Sequence, residues 1–246
     1  LLYFHGFALQ EIPMSTPANN MGKETSTDKA RPLPVVLAIT GASGAIYGLR
    51  TLQFLAGSGQ PCELLISKAA YKVMQVEHDL DLVNESCPKA AILNYLKLPP
   101  DAPVKFHELG DYAASVASGS YRTRGMAVVP CSLGTLGALA NGLTANLIQR
   151  AAAVCLKEKR PLVIVVREMP FGHIQLKNML ALSEAGATVA CASPGFYHRP
   201  RTIQDQIDFV VGRILDQLGF DNDLFKRWKE ETPLVQVPED EIQSIK

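Results

Sequence analysis

The chain has 246 residues, of which 47% are hydrophobic and 20% are charged, and its formal net charge at neutral pH is zero. This composition is typical of a globular protein with a substantial core. The balanced charge argues against a general nucleic-acid or anionic-membrane surface, and no apolar run reaches the roughly 20 residues that span a bilayer.

Five cysteines and five histidines are scattered along the chain without the spacing of a metal site. No Cys-x-x-Cys or His-Glu-x-x-His pattern occurs, so we expect no structural metal. Most of the cysteines lie in apolar stretches, which favours reduced core residues in a reducing compartment. The sequence therefore predicts a cytoplasmic protein.

Residues 1–33 lack periodicity and are rich in Ser, Thr, Asn and Pro, which predicts a disordered N-terminal extension. The opening LLYFHGFAL is apolar but short, and no basic region precedes it, so it does not resemble a signal peptide. If the extension is instead the remnant of a transit peptide, the protein belongs in mitochondria. Residues 231–246 are predicted to be a loose acidic tail, which leaves a single domain over residues 34–230.

Short apolar runs alternate with helical patterns through this domain. The predicted strands are residues 35–39, 62–66, 104–106, 126–129, 162–166 and 188–192. The predicted helices include residues 46–56, 90–96, 145–158 and 174–185, a helix capped by Thr202 and reaching Leu218, and a short terminal helix over residues 221–228. Strict alternation predicts an α/β fold, a doubly wound parallel sheet in a Rossmann or flavodoxin-like three-layer sandwich.

The first strand runs into Thr40-Gly41-Ala42-Ser43-Gly44-Ala45 and then into a helix. Such a turn is typical of a phosphate cradle, in which backbone N–H groups point at an anion. The alternative is a tight turn that binds nothing, and for a lone Gly-x-x-Gly that alternative would be favoured. The second strand ends in Ser67-Lys68, and the helix after it carries Glu77, either a surface carboxylate or a catalytic one.

Polar side chains also follow the two central strands of the second half. Ser132 and Thr135 come after the strand at residues 126–129, and Arg167 and Glu168 directly follow the strand at residues 162–166. Because the carboxyl ends of parallel strands share one edge, these four side chains should converge there. Their chemistry indicates an anionic ligand.

Two cations lie between these strands, on the helix predicted at residues 145–158. Arg150 and Lys157 are seven residues apart and nearly eclipsed, and Arg150 borders the apolar stripe. A buried guanidinium costs several kcal/mol unless it is paired, so its partner is either an Asp or Glu or a phosphate. The small-residue segment 111–120 is expected to approach a ligand or a neighbouring subunit closely. Trp228 is the only tryptophan, and packing is its simplest role.

Several short blocks occur in a fixed order over about residues 35–228. They are Thr40-Gly41-Ala42-Ser43-Gly44-Ala45, Ser67-Lys68-Ala69-Ala70, Ala117-Ser118-Gly119-Ser120, Pro130-Cys131-Ser132 with Thr135, Asn146-Leu147-Ile148-x-Arg150-Ala151-Ala152, Leu156-Lys157-Glu158, Arg167-Glu168-x-Pro170, Phe196-Tyr197-x-x-Pro200 and Val211-Gly212-Arg213-Ile214-Leu215-Asp216. Their order and spacing together resemble the UbiX-type flavin prenyltransferases, within the superfamily that also holds the flavin-dependent cysteine decarboxylases. Two departures are Ala153, where that family commonly has Asp, and Gln175, where it commonly has His.

The resemblance implies an FMN-dependent, metal-independent enzyme that transfers the dimethylallyl group of dimethylallyl phosphate to N5 and C6 of reduced FMN. It implies a homododecamer whose product serves a UbiD-type decarboxylase, as in ubiquinone biosynthesis. It assigns FMN binding to Gly41, Ala42, Ser43, Ser67, Ser132, Thr135 and Arg150. Substrate binding falls to Lys157, Arg167, Glu168, Tyr197, Arg213 and Trp228, and catalysis to Glu168, Glu77, Ser43, Lys157 and Arg167.

Three other functions share some of these features. A short-chain NAD(P) dehydrogenase shares the Thr-Gly start but needs a Tyr-x-x-x-Lys pair, which the chain lacks. A flavin-dependent cysteine decarboxylase typically carries a Pro-x-Met-Asn segment where this chain has Ser193-Pro194-Gly195-Phe196-Tyr197, and it is the second choice. A non-catalytic flavin-binding subunit would not need Lys157, Arg213 and the other residues assigned to the prenyl donor.

Overall fold

The computed structural model describes residues 32–228. Within them, six parallel strands form one sheet in the order β3-β2-β1-β4-β5-β6. The strands are β1 Val35–Ile39, β2 Cys62–Ile66, β3 Val104–His107, β4 Gly125–Cys131, β5 Leu162–Val166 and β6 Thr188–Cys191. The predicted strands and their parallel arrangement are confirmed. The predicted tail at 231–246 and all but the last two residues of the predicted extension lie outside the described residues.

Seven α-helices connect or flank these strands in the described part of the chain. They are α1 Ala45–Gly57, α2 Lys68–His78, α3 Pro88–Tyr95, α4 Leu133–Ala140, α5 Leu147–Lys157, α6 His173–Glu184 and α7 Ile203–Gln217. Thr202 caps α7 as predicted, and Asp205 completes a reciprocal capping box. The connection between β3 and β4 has no α-helix and contains one 3₁₀ turn, Ser115–Ala117.

The prediction of a helix over residues 221–228 is wrong, because this segment forms turns and bends. Its polar groups are bonded to α7 instead of along a helix. The Asn222 side chain donates to the Gly212 carbonyl at 3.2 Å and to Asp216 at 2.9 Å, and Arg227 forms an ion pair with Asp216 at 2.8 Å. These anchors fold the segment back along α7.

The sheet is covered on both faces, as its sequence pattern requires. In β1, Val35, Leu37 and Ile39 pack in one core cluster, with side chains from α1, α2, α3 and α7. Val36 and Ala38 pack in a second cluster, with side chains from α4, α5 and α6. Parallel strands buried on both faces carry continuous apolar runs, and the three-layer sandwich is confirmed.

Candidate active site

The loop after β1 is tied to the end of β4 at the carboxyl edge of the sheet. The buried Thr40 hydroxyl donates to the Pro130 carbonyl at 2.8 Å and accepts from the Ser132 N–H at 2.7 Å. These two hydrogen bonds hold the Gly41 turn beside Ser132. Sequence reasoning did not single out Thr40, although a hydroxyl at the end of a buried strand is a usable signal. At Gly41 a Cβ would clash with Ala69 of α2, so only glycine permits this packing.

Glu77 occupies the N-terminus of α1. The Gly44 N–H donates to both carboxylate oxygens at 3.0 Å, and the Ala45 N–H donates to one of them at 3.1 Å. A carboxylate is favoured there because the helix dipole and the unpaired N–H groups attract negative charge. In this structure the anion on these two N–H groups is a carboxylate of the chain itself, and the assignment of Gly41, Ala42 and Ser43 to FMN stays a prediction. Glu77 is part-buried and is not an ordinary surface carboxylate.

Two other helices begin at this edge with hydroxyl caps. Ser67 caps α2 and accepts from the Ala70 N–H at 3.1 Å. Ser132 caps α4, accepts from the Thr135 N–H at 3.4 Å and donates to the Thr135 hydroxyl at 3.0 Å. A Cβ at Gly134, in the first turn of α4, would meet nothing within 4 Å. The first turn of α4 is therefore open to a ligand at this point.

Arg167 and Glu168 reach the same edge from the end of β5. The Arg167 Nε donates to the Ser43 carbonyl at 3.0 Å, which places this guanidinium against the loop after β1. Glu168 accepts from the Met169 N–H at 3.0 Å. No ion pair joins Glu168 to Arg167 among residues 32–228, so Glu168 does not simply neutralise its neighbour. Because β4 and β5 are neighbouring parallel strands, their carboxyl ends place Ser132, Thr135, Arg167 and Glu168 at this same edge.

Comparison with known proteins fits this arrangement. The flavoprotein family model matches residues 23–215. The flavin prenyltransferase UbiX of Halalkalibacterium halodurans is 48% identical over 195 residues, which cover 79% of this chain and 93% of that protein. The chain belongs to the UbiX flavin prenyltransferase family.

Two solved structures extend the likeness within this UbiX family. AnUbiX (PadA1) in complex with FMN and dimethylallyl pyrophosphate matches with a TM-score of 0.72 and 38% identity, over 82% of this chain and all of that one. A dodecameric FMN-dependent UbiX-like decarboxylase from Escherichia coli O157:H7 matches with a TM-score of 0.70 and 36% identity, over 80% of this chain and all of that one.

The predicted pair of cations, Arg150 and Lys157, lines a separate cavity of about 500 Å³ beside residues 112–120. The Arg150 Nε donates to the Ala117 carbonyl at 3.0 Å, and Lys157 pairs with Glu158 at 2.9 Å. In the described part of the chain no hydrogen bond links Arg150 to the Gly41 loop. Within a single chain α5 turns this side chain towards the β3–β4 connection, and the assignment of Arg150 to the FMN site stays a prediction.

Tyr197 and Trp228 are in contact although 30 residues lie between them in the sequence. Their rings pack edge to face with centroids 5.2 Å apart, and Tyr197 packs in the same way on Phe209 with centroids 5.6 Å apart. Because Trp228 remains 65% exposed, it is not a buried packing anchor. Arg213 lies on α7, pairs with Asp216 at 2.8 Å and lines a groove of about 350 Å³ beside β5 and β6. Among residues 32–228 no hydrogen bond joins Arg213 to Tyr197.

Residues 32–228 contain no group of three or more His, Cys, Asp or Glu side chains placed to hold a metal ion. The same part of the chain has no helix of the length and apolarity needed to cross a membrane.

Proposed function

We propose that this protein is a flavin prenyltransferase that transfers the dimethylallyl group of dimethylallyl phosphate to N5 and C6 of reduced FMN. The proposal rests on the groups that meet at the carboxyl edge of the sheet. There the Gly41 loop, two hydroxyl-capped helix starts, Arg167 and Glu168 come together in a chain of the UbiX family.

The residues at this edge fit FMN. A phosphate requires N–H and hydroxyl donors at an unblocked helix start. The start of α4 supplies these with Ser132 and Thr135, and Ser67 follows β2, which is separated from β4 by β1 at the same edge of the sheet. The loop of Gly41 to Ser43 has small side chains, which allow a flat ring to approach the backbone. When bound, reduced FMN supplies the nucleophilic nitrogen and carbon of the reaction.

The chain's own residues would act on the prenyl donor. Arg150, Lys157 and Arg213 are cations that bind a phosphate and stabilise the charge that it gains as it departs. Glu168 is free of an ion pair in the described chain and can hold or move a proton at the reacting edge. Tyr197 and Trp228 present an aromatic wall of the kind that suits an allyl group.

These residues do not all meet within one chain. The N-terminus of α5 lies at the carboxyl edge, because the Leu147 N–H donates to the carbonyl of Leu109, just beyond β3. Lys157 is ten residues further along α5, which corresponds to about 15 Å towards the amino edge. We therefore propose that Lys157 serves the site of a neighbouring copy.

The surface of α6 supports such an assembly. Ile174, Leu176 and Leu180 are 69%, 51% and 59% exposed in the single chain, and an apolar surface of this kind favours subunit contacts. With the dodecameric relative as the guide, we propose a homododecamer. Two further proposals rest on family membership alone, namely delivery of the prenylated FMN to a partner UbiD-type decarboxylase and a cytoplasmic location.

The test is anaerobic incubation of the purified protein with reduced FMN and dimethylallyl phosphate, followed by mass spectrometry of the released flavin. We expect flavin that is heavier by one isoprene unit. A parallel reaction with dimethylallyl diphosphate identifies the preferred donor. Bound but unmodified FMN in both reactions would contradict the proposal and favour a non-catalytic flavoprotein. Release of CO₂ from a cysteine-terminated peptide would favour the decarboxylase instead.

A further inference from the structure

The wall of the Arg150–Lys157 pocket is an irregular segment. It is formed by residues 112–120 of the β3–β4 connection. Parallel strands are usually joined through an α-helix, which fixes its own backbone. Here the connection has one three-residue 3₁₀ turn. The shape of the wall therefore depends on side chains that bind its backbone from outside.

Three side chains provide these anchors. Arg150 donates to the Ala117 carbonyl at 3.0 Å. Arg160 donates to the Gly119 carbonyl at 2.6 Å and to the Tyr121 carbonyl at 2.7 Å. The Tyr121 hydroxyl in turn donates to Glu63 at 2.5 Å, which ties the end of the wall to the sheet.

Glu63 is a charged residue within a buried strand, where apolar residues are usual. It lies on β2 and is 5% exposed, and its second carboxylate oxygen is hydrogen-bonded to His107 of β3, which is 4% exposed. A buried carboxylate is costly unless its oxygens are bonded. Nothing in the proposed chemistry uses this carboxylate directly, so its retention in the core needs another explanation.

The protonation states make the Tyr121–Glu63 bond directional. Burial raises the pKa of Glu63, but the hydrogen bonds from His107 and Tyr121 outweigh it and the net shift is downward. Burial and the bond to Glu63 raise the pKa of Tyr121 to about 12. Near neutral pH the phenol therefore donates to a charged carboxylate, which is the stronger form of the bond.

The wall lies close enough to the cations for its position to matter. A Cβ built on Gly119 would clash with the Glu158 carboxylate and would lie 3.0 Å from the Lys157 Nζ. The backbone of the wall at Gly119 therefore borders the Lys157–Glu158 pair and limits the space that is open to it. Movement of the wall would shift the Ala117 carbonyl that orients Arg150.

We propose that Glu63, His107 and Tyr121 are positioning residues for the Arg150–Lys157 pocket. They hold its wall in the form that presents both cations to the phosphate of the prenyl donor. This inference rests on the proposed function and goes beyond it, because none of the three residues touches the donor. It assigns a role in donor affinity to a buried network that is remote from the flavin loop.

The decisive variant is Tyr121→Phe, which removes one hydroxyl and leaves Glu63 bonded to His107. Binding of dimethylallyl phosphate to the FMN-loaded, oxidised protein is measured by calorimetry, and kcat and KM are measured in parallel with reduced FMN. We expect Kd and KM for the donor to rise about tenfold, as for loss of a hydrogen bond to a charged group. The kcat and the FMN affinity should stay within about twofold, which a general loss of structure would not produce.

The matched control is Tyr71→Phe. Tyr71 is half-buried in the core on the opposite face of the sheet, and its hydroxyl has no hydrogen bond among residues 32–228. This variant should bind the donor like the wild type. If Tyr121→Phe proves unstable, Arg160→Lys tests the same wall from the other side, and it should raise donor Kd in the same selective way.

The outcomes separate the two proposals. Equal donor affinity in Tyr121→Phe, Arg160→Lys and the wild type would overturn the positioning role and leave the proposed function intact. A parallel loss of FMN affinity and donor affinity would also overturn it, since that pattern indicates a purely structural network. A wild type that neither binds dimethylallyl phosphate nor prenylates FMN would overturn the proposed function, and this inference with it.

Discussion

Glu77 can be tested as the anion at the N-terminus of α1. The change is Glu77→Ala, which leaves the N–H groups of Gly44 and Ala45 without the three contacts of 3.0 to 3.1 Å that they make to the carboxylate. These two donors are only partly shielded, because the Glu77 side chain is 25% exposed. Water can therefore compensate for part of the loss.

The magnitude follows from these contacts. Each hydrogen bond to a charged group contributes about 1.5–3 kcal/mol, and the favourable interaction with the helix dipole adds about 0.3–1 kcal/mol. With two donors and partial hydration, we expect Glu77→Ala to lower the free energy of unfolding by about 2–4 kcal/mol. For a domain of this size that corresponds to a fall in Tm of about 4–16 °C. Glu77→Gln keeps an acceptor oxygen and should lose about half as much.

The assay is urea unfolding without FMN, followed by circular dichroism. The control is Glu184→Ala, because Glu184 is an exposed carboxylate on α6, and its loss should change the free energy of unfolding by no more than about 0.5 kcal/mol. A loss below about 1 kcal/mol in Glu77→Ala would refute the reasoning. The N–H groups at the start of α1 would then be adequately solvated without Glu77.

Three further predictions concern the site and the buried network. Glu168→Gln should keep FMN bound but slow prenylation about 10²–10⁴-fold in single-turnover spectra at saturating donor, and an unchanged trace would remove Glu168 from the mechanism. Arg167→Ala and Arg150→Ala should each weaken the prenyl donor about tenfold or more in a calorimetric titration, with the FMN affinity in a fluorescence titration unchanged. A selective loss of FMN affinity in Arg150→Ala would assign that residue to the flavin site. Because the folded pKa of Glu63 is lowered, its stabilisation should be complete above its unfolded pKa of about 4.3 and disappear as pH falls through the lower folded value. Urea unfolding of the wild type and Glu63→Gln at graded acidic pH measures this contribution, and a difference between the two that does not change with pH would contradict it.

The sheet and much of its edge could be predicted from the sequence because their signals are local. Apolar, β-branched runs such as 35–39 and 162–166 bury both faces of a strand, and the structure places strands at those residues. Cap residues act on N–H groups two or three positions away, so Ser67, Ser132 and Thr202 begin helices as the pattern indicates. Parallel topology then brings the strand ends to one edge.

Other features depend on contacts between residues that are distant in sequence. Glu77 reaches the start of α1 from 33 residues away because α2 packs against the Gly41 loop, and the helical period of α2 contains no sign of this. Residues 221–228 have a helix-compatible pattern, but the bonds of Asn222 and Arg227 to α7 decide their path. These partners are chosen by packing, whose free energy exceeds the small local preferences of a short segment.

The residues assigned to the prenyl donor show the same division. Their chemical types, cations, a carboxylate and aromatic rings, were evident from the sequence and indicated an anionic ligand, which the family resemblance implied to be an allylic phosphate. Their separation was not evident, because the direction of α5 moves Lys157 about 15 Å along the helix from its start, and the fold-back along α7 brings Trp228 to Tyr197. Sequence by itself determined which groups are present and which strands carry them, because those properties are local. Only the tertiary structure decided which groups share one cavity, because helix direction and packing set the distances between residues far apart in the chain.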